Sequence, residues 1–76
     1  MGYETDRRFG QHIRELRIAR KLTQEQMVAK IQLAGYEMSR SGFAKIESGT
    51  RHIYLDDLMI LQKVLNVSFE ELMDFL

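Results

Sequence analysis

The segment from Ser39 to Gly49 combines cationic, hydroxyl and small side chains at short spacing. If it is helical, 100° per residue places five of these side chains on one side: Arg40, Ser41, Ala44, Lys45 and Ser48. The long cations and the hydroxyls donate hydrogen bonds, and the small side chains permit close approach. This face therefore suits a groove that is lined with acceptors. The solvated face of an ordinary amphipathic helix is the alternative interpretation.

The same segment contains its own start and stop signals. Ser39 can accept a hydrogen bond from the first-turn N–H groups, and Gly49 can adopt the left-handed conformation that ends a helix. Three residues share the inward side, with a glycine at its margin: Phe43, Ile46, Glu47 and Gly42. We therefore predict a helix at about residues 39–48 that is buried on one face only.

Two helices are predicted before this segment. Thr5 or Asp6 caps the first, which runs to about Arg20 and leaves residues 1–5 as a flexible arm. Its apolar stripe is joined by one basic residue: Phe9, Ile13, Leu16 and Arg17. The second helix begins at a capping box formed by Thr23 and Gln26.

Two more helices are predicted after it, and nothing in the chain alternates like a strand. Leu55 to Leu65 forms the fourth helix, with Asn66 as its stop. Ser68 opens the fifth, which runs to Leu76. Five short helices with short connections predict a compact all-α bundle.

The composition indicates one small soluble domain. Its 76 residues allow a core of only marginal size, and without cysteine neither a disulfide nor a thiolate metal site supports it. His12 and His52 stand alone, so no metal and no other cofactor is predicted. There is no signal core and no membrane-spanning apolar run, and the lack of cysteine suits a cytoplasmic protein.

The zero net charge conceals an asymmetry along the chain. Residues 1–53 hold ten Lys/Arg and six Asp/Glu, whereas residues 54–76 hold one lysine and five acidic residues. The chain is therefore a dipole with a basic front and an acidic back. Such a dipole can present one face to phosphate although the whole molecule is neutral.

Three segments occur in a recognisable order: Leu22 to Met27, Ser39 to Gly49, and Leu65 to Leu72. Together they resemble the Cro/repressor-type, or XRE-like, helix-turn-helix family. The resemblance covers about residues 9–73. It implies a lambda-repressor-like five-helix bundle over residues 6–76, whose second and third helices form the DNA-binding unit and whose third helix lies in the major groove.

The resemblance also assigns roles to individual residues. Those in the base-reading positions are Arg40, Ser41, Ala44 and Lys45. Those in the phosphate-binding positions are Thr23, Gln24, Ser48, Thr50 and Arg51. Arg17 and Glu47 match a pair that in the family joins the first and third helices through an ion pair. Its expected role is to orient the reading helix.

Three features depart from the family pattern. The connection between the second and third helices is lengthened, with Ile31 to Met38 occupying it where the usual member has fewer residues. Val28 stands where most members have alanine, and Gly42 stands where threonine or serine is usual. We expect the missing Cβ of Gly42 to make room for Val28, although glycine there costs the helix about 0.5–1 kcal/mol relative to alanine.

The function predicted is that of a sequence-specific DNA-binding transcriptional regulator, most simply a repressor that binds a palindromic operator as a homodimer. The expected dimer interface is Met73, Phe75 and Leu76, because a fifth helix that is apolar nearly all round needs cover. A protein–protein interaction module of the same fold that has lost DNA binding is the alternative. No membrane partner or small-molecule substrate is evident. An enzyme is disfavoured because the chain has no nucleophile–base pair and no phosphate-binding loop.

Overall fold

The computed structural model describes residues 3–76. Five helices occupy this part of the chain: Tyr3–Ala19 (α1), Gln24–Leu33 (α2), Arg40–Ser48 (α3), Leu55–Leu65 (α4) and Phe69–Leu72 (α5). The predicted all-α architecture of five helices is confirmed. Within the described residues, none of the helices has both the length and the apolar character that crossing a bilayer requires.

Local sequence signals set most of the helix ends. The Thr23 hydroxyl accepts from the Gln26 amide at 3.1 Å, and the Gln26 side chain accepts from the Thr23 amide at 2.9 Å, which completes the predicted capping box. Helix α4 ends at Asn66, whose φ of +56° is left-handed, as the stop signal predicts. Ser68 then caps α5 by accepting from the Glu71 amide at 3.0 Å.

The core lies between α3 and the helices that surround it. Helix α3 packs against α1 and α2, and α2 also packs against α4. The buried apolar side chains are Phe9, Ile13, Leu16, Met27, Val28, Ile31, Met38, Phe43, Ile46, Ile60, Leu61, Leu65, Val67 and Leu72. This single cluster packs against the inner face of α3 and leaves its outer face exposed to solvent.

Close backbone approach occurs at Gly10 and not at Gly42. A Cβ on Gly10 would lie 2.6 Å from the carbonyl oxygen of Glu47, so only glycine lets α1 come this close to α3. A Cβ on Gly42 would meet the capping hydroxyl of Ser39 at 3.3 Å and no atom of Val28 within 4 Å. The expectation that Gly42 makes room for Val28 is therefore wrong, because Gly42 faces the cap of its own helix.

Helix α1 begins earlier than predicted. Its described part starts at Tyr3, so the backbone from Tyr3 to Thr5 is helical and does not belong to an arm; the remainder of the predicted arm, Met1 and Gly2, lies outside the described residues. The acidic residues Glu4 and Asp6 both lie in the first turn, where the positive end of the helix dipole favours them.

Helix α5 ends at Leu72, short of the predicted end at Leu76. The chain turns there, and the Phe75 ring packs edge-on against Phe9 with 5.3 Å between ring centroids. An Arg8 guanidinium N–H donates to the Phe75 carbonyl at 2.6 Å. The C-terminal turn is therefore held by contacts with α1 of the same chain.

The three residues of the predicted dimer interface differ in their exposure. Met73 and Phe75 are partly buried and pack against the core of their own chain. Only Leu76, at 81% exposure, keeps its side chain in solvent. The dimer interface at these three residues stays a prediction.

Candidate nucleic-acid interface

The outer face of α3 is open to solvent between its two caps. The Ser39 hydroxyl accepts from the Gly42 amide at 3.0 Å, and Gly49 ends the helix with a φ of +74°. The side chains that point outward are exposed except for Ala44, which is half-buried: Arg40, Ser41, Ala44, Lys45 and Ser48. The structure thus brings all the predicted base-reading residues onto one presented surface.

An ion pair beneath this surface connects α3 to α1. The Arg17 guanidinium donates to both carboxylate oxygens of Glu47, from Nε at 2.7 Å and from a terminal nitrogen at 3.1 Å. The side chains are only 9% and 4% exposed. Arg17 also donates to the Leu22 carbonyl at 2.7 Å, which fixes the turn before α2. A bidentate pair of this kind fixes orientation as well as distance.

The start of α2 joins the same network. The Gln24 side-chain amide, which the family resemblance assigns to phosphate, donates to Glu47 at 2.8 Å. The Thr23 hydroxyl accepts from the Gln26 amide and keeps its own proton available to an outside acceptor. Gln24 therefore helps to position α3, while Thr23 remains accessible at the surface.

Arg40 is held only loosely. One of its terminal nitrogens lies 3.7 Å from the Glu25 carboxylate, and both side chains are mostly exposed. An exposed pair at this distance contributes little to stability. Arg40 can therefore exchange this partner for an acceptor on a ligand at small cost.

The loop after α3 presents hydroxyl groups. The Ser48 hydroxyl donates to the Lys45 carbonyl at 3.2 Å and lies 2.8 Å from the Thr50 hydroxyl. Ser48 and Thr50 are both exposed, at the C-terminal end of α3 and just after it. This is the position that the family resemblance gives to phosphate contacts.

Arg51, which the resemblance also assigns to phosphate, is paired within the protein. Its guanidinium donates to the Asp57 carboxylate at 2.7 and 3.4 Å and to the His52 carbonyl at 2.8 Å. The guanidinium carbon also lies 5.7 Å from the centre of the Tyr54 ring. These contacts make Arg51 an anchor between the loop and α4.

Asp57 is the centre of a polar network that sequence reasoning missed. Its carboxylate is fully buried and accepts from the Tyr36 hydroxyl at 2.6 Å and the Tyr54 amide at 2.9 Å, besides Arg51. The network connects the lengthened turn after α2 to the start of α4. One signal for it is present in the sequence, because Asp57 stands three residues after the residue that caps α4, Tyr54.

The network shifts the pKa values of Asp57 and Tyr36. Burial alone raises the pKa of the Asp57 carboxyl, but the hydrogen bonds donated by Arg51, Tyr36 and the Tyr54 amide outweigh it and hold that pKa below its ordinary value. The hydrogen bond to Asp57 is the main cause that raises the pKa of Tyr36 to about 12. Asp57 is therefore ionised, and Tyr36 protonated, throughout the physiological range.

An apolar patch lies on α4 and the start of α5. The exposed fractions are 69% for Leu55, 54% for Met59 and 50% for Phe69. Met59 and Phe69 line a shallow groove together with Tyr36 and Lys63. The patch belongs to the acidic part of the chain and does not involve α3 or its presented face.

Comparison with known proteins agrees with this geometry. Residues 13–72 match the helix-turn-helix family model. The control protein C.BamHI of Bacillus amyloliquefaciens is 32% identical over 68 residues, which are 88% of this chain and 78% of that protein. The crystal structure of the restriction-modification controller protein C.AhdI from Aeromonas hydrophila matches with a TM-score of 0.80 at 31% identity, covering 92% of this chain and 98% of that one.

The family match covers most of the chain, and the solved relative has the same fold at a similar length. The capped third helix, its exposed polar face and the ion pair beneath it lie within the matched residues. The chain accordingly belongs to the helix-turn-helix family of DNA-binding transcription regulators, of the XRE type.

Proposed function

We propose that this protein is a sequence-specific regulator that inserts α3 into the major groove of an operator as a homodimer. The proposal rests on the face of α3 from Arg40 to Ser48, which is exposed to solvent. On the opposite side of the helix, the Arg17–Glu47 ion pair fixes α3 to α1. A helix of this kind, capped at both ends and clamped to its neighbour, keeps its side chains at a defined depth in a groove.

Base reading rests on the two cations and the two small side chains of that face. Arg40 and Lys45 can donate to the O6 and N7 acceptors of guanine. Ser41 can serve several bases, and Ala44 suits the methyl group of thymine. Because Arg40 is held only by an exposed contact to Glu25, it can reorient towards a base edge.

Phosphate binding is best supported for the hydroxyl groups that flank α3. Thr23 lies at the N-terminus of α2, where first-turn N–H groups and the helix dipole favour an anion. Ser48 and Thr50 lie at the other end, close enough to share one phosphate. Arg51 and Gln24 support the interface through Asp57 and Glu47.

Homodimerisation places the two reading helices on one palindrome. The apolar patch of Leu55, Met59 and Phe69 is a better candidate interface than Met73 and Phe75, which cover their own core. A two-fold axis through this patch would give each half-site one copy of α3, at a spacing of about 34 Å.

The relatives narrow the biological setting. C.BamHI is named a control protein, and C.AhdI a restriction-modification controller protein. We propose the same role for this chain, namely transcriptional control of restriction and modification genes, with repression as its simplest form.

Selection of bound sequences from random DNA tests the proposal. The parent protein should enrich a palindrome with half-sites about one helical turn apart. The double substitution of Arg40 and Lys45 by alanine should lose that enrichment while its melting temperature stays near the parent's, because both side chains are exposed. A parent that enriches nothing, and shows no salt-dependent binding to mixed DNA, would indicate a protein-interaction module.

A further inference from the structure

The arginines of this chain differ in the hydrogen bonds and ion pairs that they make within the protein. Within the described residues, four donate hydrogen bonds to a carbonyl or a carboxylate of the protein: Arg8, Arg17, Arg20 and Arg51. Arg40 makes only an exposed ion pair, 3.7 Å from Glu25. With the other described residues, the Arg7 and Arg14 side chains form no hydrogen bond and no ion pair. Both are exposed on α1, so their charge is available to an external partner.

Arg14 lines a groove at the junction of three helices. The groove has a volume of about 660 Å³, and its lining includes Arg14, Arg17, Thr23, Gln24, Arg40 and Glu47. The groove therefore joins the presented face of α3 to the N-terminus of α2 and to one edge of α1. Its position makes it continuous with the proposed DNA interface.

The charges in this groove favour an anion. Glu47 is its one acidic residue, and Arg17 and Gln24 already satisfy its carboxylate. The residues that line the groove thus carry an excess of two positive charges, from Arg14 and Arg40, and Glu25, 3.7 Å from Arg40, lies outside the lining. Arg7 lies in a different surface pocket, which is also lined by the acidic residues Glu4, Glu15 and Asp74.

The N-terminus of α2 lies at one side of the groove, which Thr23 and Gln24 line. The capping box uses the amides of Thr23 and Gln26. The amides of Gln24 and Glu25 lie in the first turn, where an α-helix offers its N–H groups no acceptor. The positive end of the helix dipole adds to their attraction for an anion.

We propose that Arg14 binds a phosphate of the DNA backbone in this groove, together with the first-turn amides of α2. The inference rests on the proposed function and extends it, because it makes α1 a third DNA-contacting element beside α2 and α3. The phosphate receives hydrogen bonds from the backbone of α2 and a charged donor from α1. Contact from α1 as well as α2 adds a constraint on the orientation of the domain to those that α2 and α3 supply.

The salt dependence of DNA binding tests this assignment. Fluorescence anisotropy with a labelled duplex of mixed sequence would be measured from about 0.05 to 0.3 M salt for the parent, Arg14→Gln and Arg8→Gln. The two variants remove the same charge from exposed positions of α1, but Arg8 donates to Phe75 away from the groove. Sedimentation and melting curves would show that all three proteins keep the same assembly and fold.

The expected result is a change for Arg14→Gln alone. Each bound protomer should lose about 0.9 from the slope of log K against log salt, with roughly five- to tenfold weaker binding at 0.1 M salt. Arg8→Gln should keep the slope of the parent. Equal losses in both variants would show an effect of net charge, and an unchanged slope in Arg14→Gln would show no contact; either result overturns the assignment. A parent that binds no DNA at low salt overturns the proposed function itself.

Discussion

Arg40 and Arg51 lie at opposite ends of α3, and their guanidinium groups face different partners. Arg40 projects from the start of the helix with only an exposed contact to Glu25. Arg51 follows the helix and is bound to the buried carboxylate of Asp57. The family resemblance assigns both arginines to DNA, yet the structure leaves Arg40 exposed with one loose contact and anchors Arg51 within the protein.

Arg40→Ala should weaken specific DNA binding by about 1–3 kcal/mol and relax the preference at one base pair, because a bidentate donor to guanine is lost. Anisotropy with the selected site and its single-base variants measures both effects. Glu25→Ala is the matched control, since it removes the same ion pair and leaves the reading group in place. Arg40→Ala binding all sites as the parent does would exclude base reading by this residue.

Arg51→Ala should destabilise the fold by roughly 3 kcal/mol, because the buried Asp57 carboxylate loses its charged partner. Thermal and urea unfolding would measure this loss. The salt slope of DNA binding should be unchanged when the assay is run well below the melting temperature. An unchanged melting temperature with a slope lowered by about 1 would instead place Arg51 on a phosphate.

Tyr36 should make stability depend on alkaline pH. Its pKa is raised from 10.0 to about 12, mainly by the hydrogen bond to Asp57, so the folded state holds the proton more tightly. The contribution is complete below pH 10 and is lost between 10 and 12, as the unfolded state releases its proton first. Tyr36→Phe should be less stable than the parent at about pH 8, and the difference should shrink towards about pH 12. A difference that is constant with pH would mean that this bond does not couple protonation to folding.

At the scale of the elements, α3 is kept in place by three separate devices. Its two caps define its length, the Arg17–Glu47 pair connects it to α1, and Gly10 allows the α1 backbone to approach it closely. The Asp57 network is separate from these three and connects the lengthened turn to α4. The longer turn is thus attached to the protein through Tyr36, although it departs from the family pattern.

Glu47→Ala should unfold a large part of the population or lower the melting temperature steeply. The substitution leaves the buried Arg17 guanidinium without its counter-charge, at a cost of about 3–5 kcal/mol. A small domain has a total stability of only about 5–15 kcal/mol. Arg40→Ala serves as the comparison, because it breaks an exposed pair and should leave the melting temperature unchanged. Similar melting temperatures for the two variants would show that the Glu47 pair contributes no more than a surface contact.

The elements could be predicted from sequence where their signals are local. The capping box at Thr23 and the stops at Gly49 and Asn66 each depend on a few neighbouring residues, and the structure contains all three. The candidate reading face could also be predicted, since helical periodicity alone separates it from Phe43 and Ile46.

The remaining features depend on contacts between distant parts of the chain. Asp57 is buried because Tyr36 and Arg51, remote in sequence, supply its hydrogen bonds. Likewise, α5 ends at Leu72, and Phe75 packs back on Phe9 from the distant start of the chain. Periodicity reports which residues share a face, but not which surface that face meets. For this reason the anchoring role of Arg51 and the covered state of Phe75 emerge only from the folded chain.

At the scale of the whole molecule, the net charge differs between the two parts of the chain, and the apolar patch lies on the acidic part. The basic part of the chain contains α1, α2 and α3, with the groove around Arg14. The acidic part contains α4 and α5 and carries the apolar patch of Leu55, Met59 and Phe69. An acidic surface is repelled by DNA, so an interface between copies is best placed there. Two copies joined at this patch would each keep their basic part free for a half-site.

The dimer prediction follows from this arrangement. Met59→Glu should make the protein monomeric in sedimentation at concentrations where the parent is dimeric, because it buries a charge in the proposed interface. Met59 is 54% exposed, so the fold itself should tolerate the change. Leu33→Glu is the matched control, since Leu33 is 88% exposed at the end of α2 and its substitution should leave the dimer intact.

The same variant also separates assembly from DNA contact. Monomeric Met59→Glu should still show salt-dependent binding to mixed DNA, because its basic face is unaltered. It should lose the advantage of a palindrome over a single half-site, since two copies no longer bind as one unit. A Met59→Glu protein that remains dimeric would move the interface away from this patch. A monomer that keeps the full preference for the palindrome would show that the copies meet only on DNA.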